Sequence, residues 1–64
     1  MSKVRDLRIN KKYTQQELSQ KSGVSQQYIS EIENGNRIGT IKTLIKLAAA
    51  LETTVDNLIR TEAQ

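Results

Sequence analysis

Apolar residues along this chain recur at spacings of three and four and do not alternate, and proline is absent. That spacing gives an α-helix one buried face and gives a strand none. An all-α fold is expected, a compact five-helix bundle. Its 64 residues leave room for one domain, 1–64. A chain of this size buries only about 60% of the surface its unfolded form exposes. The core is therefore small, and helix starts and stops carry weight.

The signals place helices near 3–10, 15–22, 26–34, 41–51 and 55–61. Ser2 is a candidate N-cap for the first, with Val4 and Leu7 inward. The second opens on Thr14 with Glu17 three residues later, the pattern of a capping box, and turns Leu18 inward. Gly23, able to take a left-handed backbone, ends it. Ser25 caps the third helix and Gly35 stops it. Thr40 caps the fourth, where Ile41, Leu44, Ile45, Leu47, Ala48 and Leu51 predict a wide apolar face. The fifth begins after Thr54, with Val55, Leu58 and Ile59 inward and a frayed tail at Thr61–Gln64.

Helices two and three, joined at Gly23, form a helix-turn-helix candidate. At about 100° per residue from Gln26, Gln27 falls at about 100°, Ser30 at about 40° and Asn34 at about 80°. Ile29 falls at about 300° and Ile32 at about 240°, on the opposite side. One face is thus polar yet uncharged, where a merely solvated helix usually carries Lys and Glu. A glutamine amide donates and accepts together, which matches the N6–H and N7 of adenine in the major groove. Gln26, Gln27 and Ser30 are the candidate base readers. The plainer reading is a polar surface helix that happens to carry glutamine.

Composition narrows the function. Histidine and cysteine are both absent, which removes the usual metal ligands, the neutral-pH base and any disulfide. No Gly-rich phosphate loop or carboxylate cluster suggests an enzyme, and no cofactor, metal or small-molecule ligand is expected. No apolar run approaches the roughly 20 residues of a membrane span, and the N-terminus is too polar for a signal peptide. A soluble cytoplasmic protein is the default. Ten Lys/Arg against seven Asp/Glu give a net charge of +3, with Lys3, Arg5, Arg8, Lys11 and Lys12 crowding the N-terminal segment. Such a cluster attracts phosphate or simply keeps a surface hydrated.

From Val4 to Ile59 the sequence resembles the helix-turn-helix domains of the lambdoid phage repressor and Cro type, the XRE family. "VRDLR" resembles the family's first helix, "TQQELSQKSGVSQQYISEIENG" its helix-turn-helix, and "TLIKLAAAL" and "TTVDNLI" its last two helices. The pairing of T-Q-x-E-L at Thr14–Leu18 with I-E-N-G at Ile32–Gly35 is the specific part. The resemblance implies a bacterial or phage-encoded regulator acting on the nucleoid. It implies phosphate contacts by Gln15, which would also buttress the recognition helix, and by Asn34. It places Gln26 and Gln27 at base-contacting positions, with Ser30 one turn on. It pairs Arg8 with Glu33 in a structural ion pair; the alternative for Arg8 is a phosphate-attracting charge. Arg37 and Lys42 are further phosphate candidates, or solvated charges. Tyr28 suits packing first and a sugar or phosphate contact second, and Tyr13 suits the core.

The chain departs from the family pattern at three loop positions. Lys12 and Glu52 stand where Gly is common, and Gly39 where Pro is frequent. The first two sites are candidates for a left-handed backbone; the third suggests a looser loop.

The expected function is a sequence-specific double-stranded DNA-binding transcriptional regulator, a repressor. It would place helix 26–34 in the major groove of a palindromic operator, as a homodimer at least on DNA. The apolar contact between copies would come from Leu58, Ile59, Ile45 or Ile38. The alternative is an antitoxin-like or co-activator-like protein-interaction module on the same fold.

Overall fold

The computed structural model describes residues 3–59, with side chains through Leu58. The described residues form α1 (Lys3–Asn10), α2 (Gln15–Ser22), α3 (Gln26–Glu33), α4 (Ile41–Ala50) and α5 (Val55–Ile59), with no strand among them. The Ser2 cap, the Ile59 side chain, residues 60–61 of the fifth helix and the Thr61–Gln64 tail lie outside what is described. Helices α3 and α4 each close one residue before the sequence reading. Asn34 and Leu51 still donate helical N–H bonds to Ser30 and Leu47, both at 2.9 Å, but act as C-caps.

Local chemistry explains the starts. The Glu17 N–H donates to the Thr14 hydroxyl at 3.0 Å, and the Thr14 N–H donates to the Glu17 carboxylate at 2.8 Å. This reciprocal box satisfies two N–H groups that would otherwise lack partners. Single hydroxyl caps serve α3, α4 and α5: Ser25 accepts from Tyr28, Thr40 from Thr43, and Thr54 from Asn57. At the end of α2, Gly23 takes φ +78 and donates its N–H to the Ser19 carbonyl at 2.9 Å. Two further bonds fix the turn that follows. The Ser19 hydroxyl donates to the Val24 carbonyl at 2.6 Å, and the Val24 N–H donates to the Ser22 hydroxyl at 3.1 Å.

Helix α2 packs on α3 and α4, α4 on α5, and α1 on α3 and α5. Leu18, Ile29, Leu47 and Leu51 are fully buried at the centre, joined by Val4, Val24, Ile32, Leu44, Ala48 and Leu58. Leu7, Tyr13, Tyr28, Ala50 and Val55 pack at the margin.

Two sequence expectations need correction. The buried stripe of α4 is narrower than its apolar residues suggest: Ile41 and Ile45 are 63% and 53% exposed. Only Leu44, Leu47, Ala48 and Leu51 of that set are buried, because the main packing of α4 is against α2 and α5 and leaves Ile41 and Ile45 outside it. Leu58 is buried in the core, so it supplies nothing to a surface patch.

The three departures from the family pattern have distinct causes. Lys12 and Glu52 do adopt left-handed backbones, at φ +63 and +57. They sit in the bends that follow α1 and α4, and the neighbouring Lys11 ammonium bridges to the Glu52 carboxylate at 2.5 Å. Gly39 stands where proline could not. It holds φ +93, which proline cannot adopt, and a Cβ there would stand 3.3 Å from the Ile32 side chain. The loop runs close over the core.

Candidate nucleic-acid interface

Glu33 is the charged group the core was built to hold. Its side chain is 3% exposed, and three donors meet it. Arg8 gives a bidentate pair, Nε to Oε2 at 2.7 Å and Nη2 to Oε1 at 3.1 Å. The Gln15 amide donates Nε2 to Oε1 at 3.0 Å. Arg8 in turn donates Nη1 to the Tyr13 carbonyl at 2.8 Å, which fixes the guanidinium plane. One carboxylate thus ties α3 to α1 and to the first residue of α2. No buried side-chain nitrogen or oxygen among the described residues lacks a partner. A planar fork meeting a carboxylate is directional, so this network sets the orientation of α3 as well as its attachment.

The other side of α3 is open. Gln26 and Gln27 are exposed, in the first turn, and neither amide has a hydrogen-bond partner among the described residues. Ser30 is half-buried one turn on. No acidic residue lies in the first turn of α3, so nothing there repels an anion. The Ser25 cap occupies the Tyr28 N–H and leaves the amide tips of Gln26 and Gln27 unengaged.

The remaining candidates differ in their surroundings. Asn34, the C-cap of α3, is exposed, as is Lys42 in the first turn of α4. Arg37 folds back onto α3: its Nε donates to Glu31 Oε1 at 2.7 Å, and its guanidinium lies 5.3 Å from the centroid of the Tyr28 ring. The hydrogen bond to Glu31, and the charge of that carboxylate, raise the pKa of Arg37 above its ordinary value. Gln15 is half-buried, and its bond to Glu33 uses one of two amide N–H groups.

The helix-turn-helix family model matches residues 4–58, nearly the whole chain. The chain belongs to the helix-turn-helix family of the phage repressor and Cro type. This is a family of DNA-binding transcription regulators. Within it, the chain is 51% identical over 45 residues to the HTH-type transcriptional regulator y4dJ of Sinorhizobium fredii. That match covers 70% of this chain and 58% of the regulator, so the chain spans somewhat over half of that relative's length. It is 34% identical over 61 residues to the ImmF control region 10 kDa protein of Bacillus phage phi105, across 95% of this chain and 68% of that protein. The crystal structure of the restriction-modification controller protein C.AhdI from Aeromonas hydrophila superposes with a TM-score of 0.83 at 32% identity. The superposition covers 88% of this chain and 85% of that one.

Several partners in this family member lie beyond the sequence reading. Glu31 and Tyr28 hold Arg37, Lys21 lies 5.1 Å from the centroid of the Tyr13 ring, and Lys11 bridges to Glu52. Only the first carries a signal: on the helical wheel Glu31 falls at about 140°, beside Gln27 and toward Tyr28. A single acidic side chain on that flank of α3 asks for a cation.

Proposed function

We propose that this chain is a sequence-specific repressor that binds double-stranded DNA as a homodimer, with α3 lying in the major groove. Gln26 and Gln27 read base edges, with Ser30 as a third reader deeper along the helix. The observation that supports this reading is the uncharged amide face, unpartnered among the described residues, on a helix whose buried side is anchored, with Glu33 at its border, to α1 and α2. A side chain that must discriminate bases gains from a fixed backbone and a free tip.

Phosphate contacts follow from the surroundings. Gln15 spans two tasks, one amide N–H on Glu33 and the other on a backbone phosphate. Asn34, Arg37 and Lys42 supply the remaining contacts, Lys42 with the positive end of the α4 dipole beside it. The protein surface offers a way to pair copies: Ile41 and Ile45 lie one turn apart on α4, both exposed, and Ile38 just before them is 83% exposed. A second copy of this chain is the occupant of that face, since a two-fold operator needs two recognition helices about 34–36 Å apart.

Selection of bound duplexes from a random pool tests the reading. A palindromic motif with half-sites centred about 10–10.5 base pairs apart is expected. A pool that stays random, or a single unrepeated motif, contradicts it.

A further inference from the structure

Glu31 is a misplaced charge on the reading just given. It lies at about 140° on the α3 wheel, next to Gln27 at about 100°, so it stands at the edge of the face turned toward the duplex. A bare carboxylate there would be repelled by the phosphates. It is not bare: Oε1 accepts from Arg37 Nε at 2.7 Å. Arg37 is further fixed by the Tyr28 ring beneath its guanidinium, 5.3 Å from the centroid. The cation itself stays accessible, its side chain 55% exposed against 32% for Glu31. A guanidinium has five N–H groups in a rigid fork, and this bond uses the one on Nε. The N–H groups on both terminal nitrogens have no partner among the described residues.

We propose that Glu31, with Tyr28, is a positioning residue for DNA: it orients Arg37 on the flank of α3 so that the terminal guanidinium nitrogens take a backbone phosphate at the groove edge. The inference rests on the groove reading above and adds a second, exposed ion pair to its machinery. A long arginine in a loop loses side-chain freedom when it binds phosphate. Here that ordering is done beforehand, by a carboxylate on one nitrogen and a ring on one face. The same pair cancels the charge of Glu31, so the flank approaches the duplex without net repulsion.

The test compares two variants that both remove the charge. E31Q keeps an oxygen that accepts from Arg37 Nε, whereas E31A keeps none. Affinity is measured for the selected duplex and for an unrelated one across a salt series, in the wild-type and R37A backgrounds. R37A is expected to weaken both duplexes alike and to flatten the log–log salt slope by about 0.9. E31Q should bind both duplexes about two- to fivefold more tightly than E31A. That ratio should collapse to one in the R37A background. If E31A binds as well as E31Q or better, or if the ratio survives in R37A, Glu31 does not act by orienting Arg37. Failure of the groove reading itself looks different: wild-type protein would then not distinguish the selected duplex from the unrelated one. All the substituted proteins are expected to keep the wild-type helical signal, because both positions lie outside the core.

Discussion

The two sides of α3 are built in opposite ways. Inward, Ile29 and Ile32 are buried and the Glu33 carboxylate is met by three donors. Outward, Gln26 and Gln27 are polar, uncharged and without a partner among the described residues. A surface that merely needed hydration would show charge on the outer side and little reason for a buried carboxylate on the inner one. The contrast runs along 8 residues: the inner side ties the helix to its neighbours, and the outer side leaves its amide tips exposed.

The comparison breaks most sharply at Glu33. Replacing it by alanine leaves the mostly buried Arg8 without its counter-charge, held only by the Tyr13 carbonyl, which costs about 3–5 kcal/mol. A domain of this length has a total stability of only about 3–10 kcal/mol. E33A is therefore expected to be partly or wholly unfolded at room temperature, as read by circular dichroism. A wild-type melting midpoint would mean that the network fixes nothing.

Gln26 should behave in the reverse manner. Q26A is expected to keep the melting midpoint of the wild type and to lose about 1–3 kcal/mol of discrimination at one base pair of the operator. Equal weakening on all duplexes would strip Gln26 of its reading role.

Smaller effects sharpen the contrast by acting away from α3. Lys12 is exposed at φ +63, where a side chain costs about 1–2 kcal/mol and glycine costs little. Glycine also enlarges the freedom of the unfolded chain, so K12G should stabilise the fold by a net of about 1 kcal/mol or less. Base preference should not change. A lowered melting midpoint would show that Lys12 holds a contact worth more than its backbone strain.

The smallest effect concerns the exposed Lys11–Glu52 bridge. The hydrogen bond from Lys11 lowers the pKa of Glu52 below 4.5, and the bond to Glu52 raises that of Lys11 above 10.5. A depressed carboxylate pKa stabilises the fold above its unfolded value and loses that contribution as pH falls through the folded one. The raised ammonium pKa does the opposite at the alkaline end, its contribution fading as pH rises through the folded value. The difference in melting temperature between wild type and E52Q should thus be positive at neutral pH and close as pH drops below 4.5. A gap that stays constant from neutral pH to the most acid pH at which the fold survives would assign the effect of Glu52 to something other than its charge.

Much of this architecture is legible in the sequence because it is local. Thr14 with Glu17, Ser25, Thr40 and Gly23 mark helix ends by chemistry within a few residues of themselves. The period of three and four places Leu18, Ile29 and Leu47 in the core for the same reason. What the pattern of apolar residues does not supply is how many neighbours α4 has. Ile41 and Ile45 carry the same chemistry as Leu44 and Leu47, and only the packing of α2 and α5 decides which are covered. Within the site, Arg8 and Glu33 stand 25 residues apart in sequence. Their meeting is an implication of the family resemblance, supported by the wheel position of Glu33 at the border of the apolar side. The grip of Glu31 and Tyr28 on Arg37 is only half legible: the wheel position of Glu31 asks for a cation, but which one meets it depends on a turn whose shape Gly35 and Gly39 set through positive φ angles. The close approach of Gly39 to Ile32 is not legible, since it exists only once the core has formed.

The most direct measurement follows the side-chain amide signals of Gln26 and Gln27 by nuclear magnetic resonance while the selected duplex is titrated in. If the outer side of α3 reads bases, these two pairs of signals should shift the most. Their exchange with water should slow on the selected duplex and not on an unrelated one. Should both stay at their free positions while signals from Ile38, Ile41 and Ile45 move instead, the duplex, or whatever this chain binds, is met by a different face.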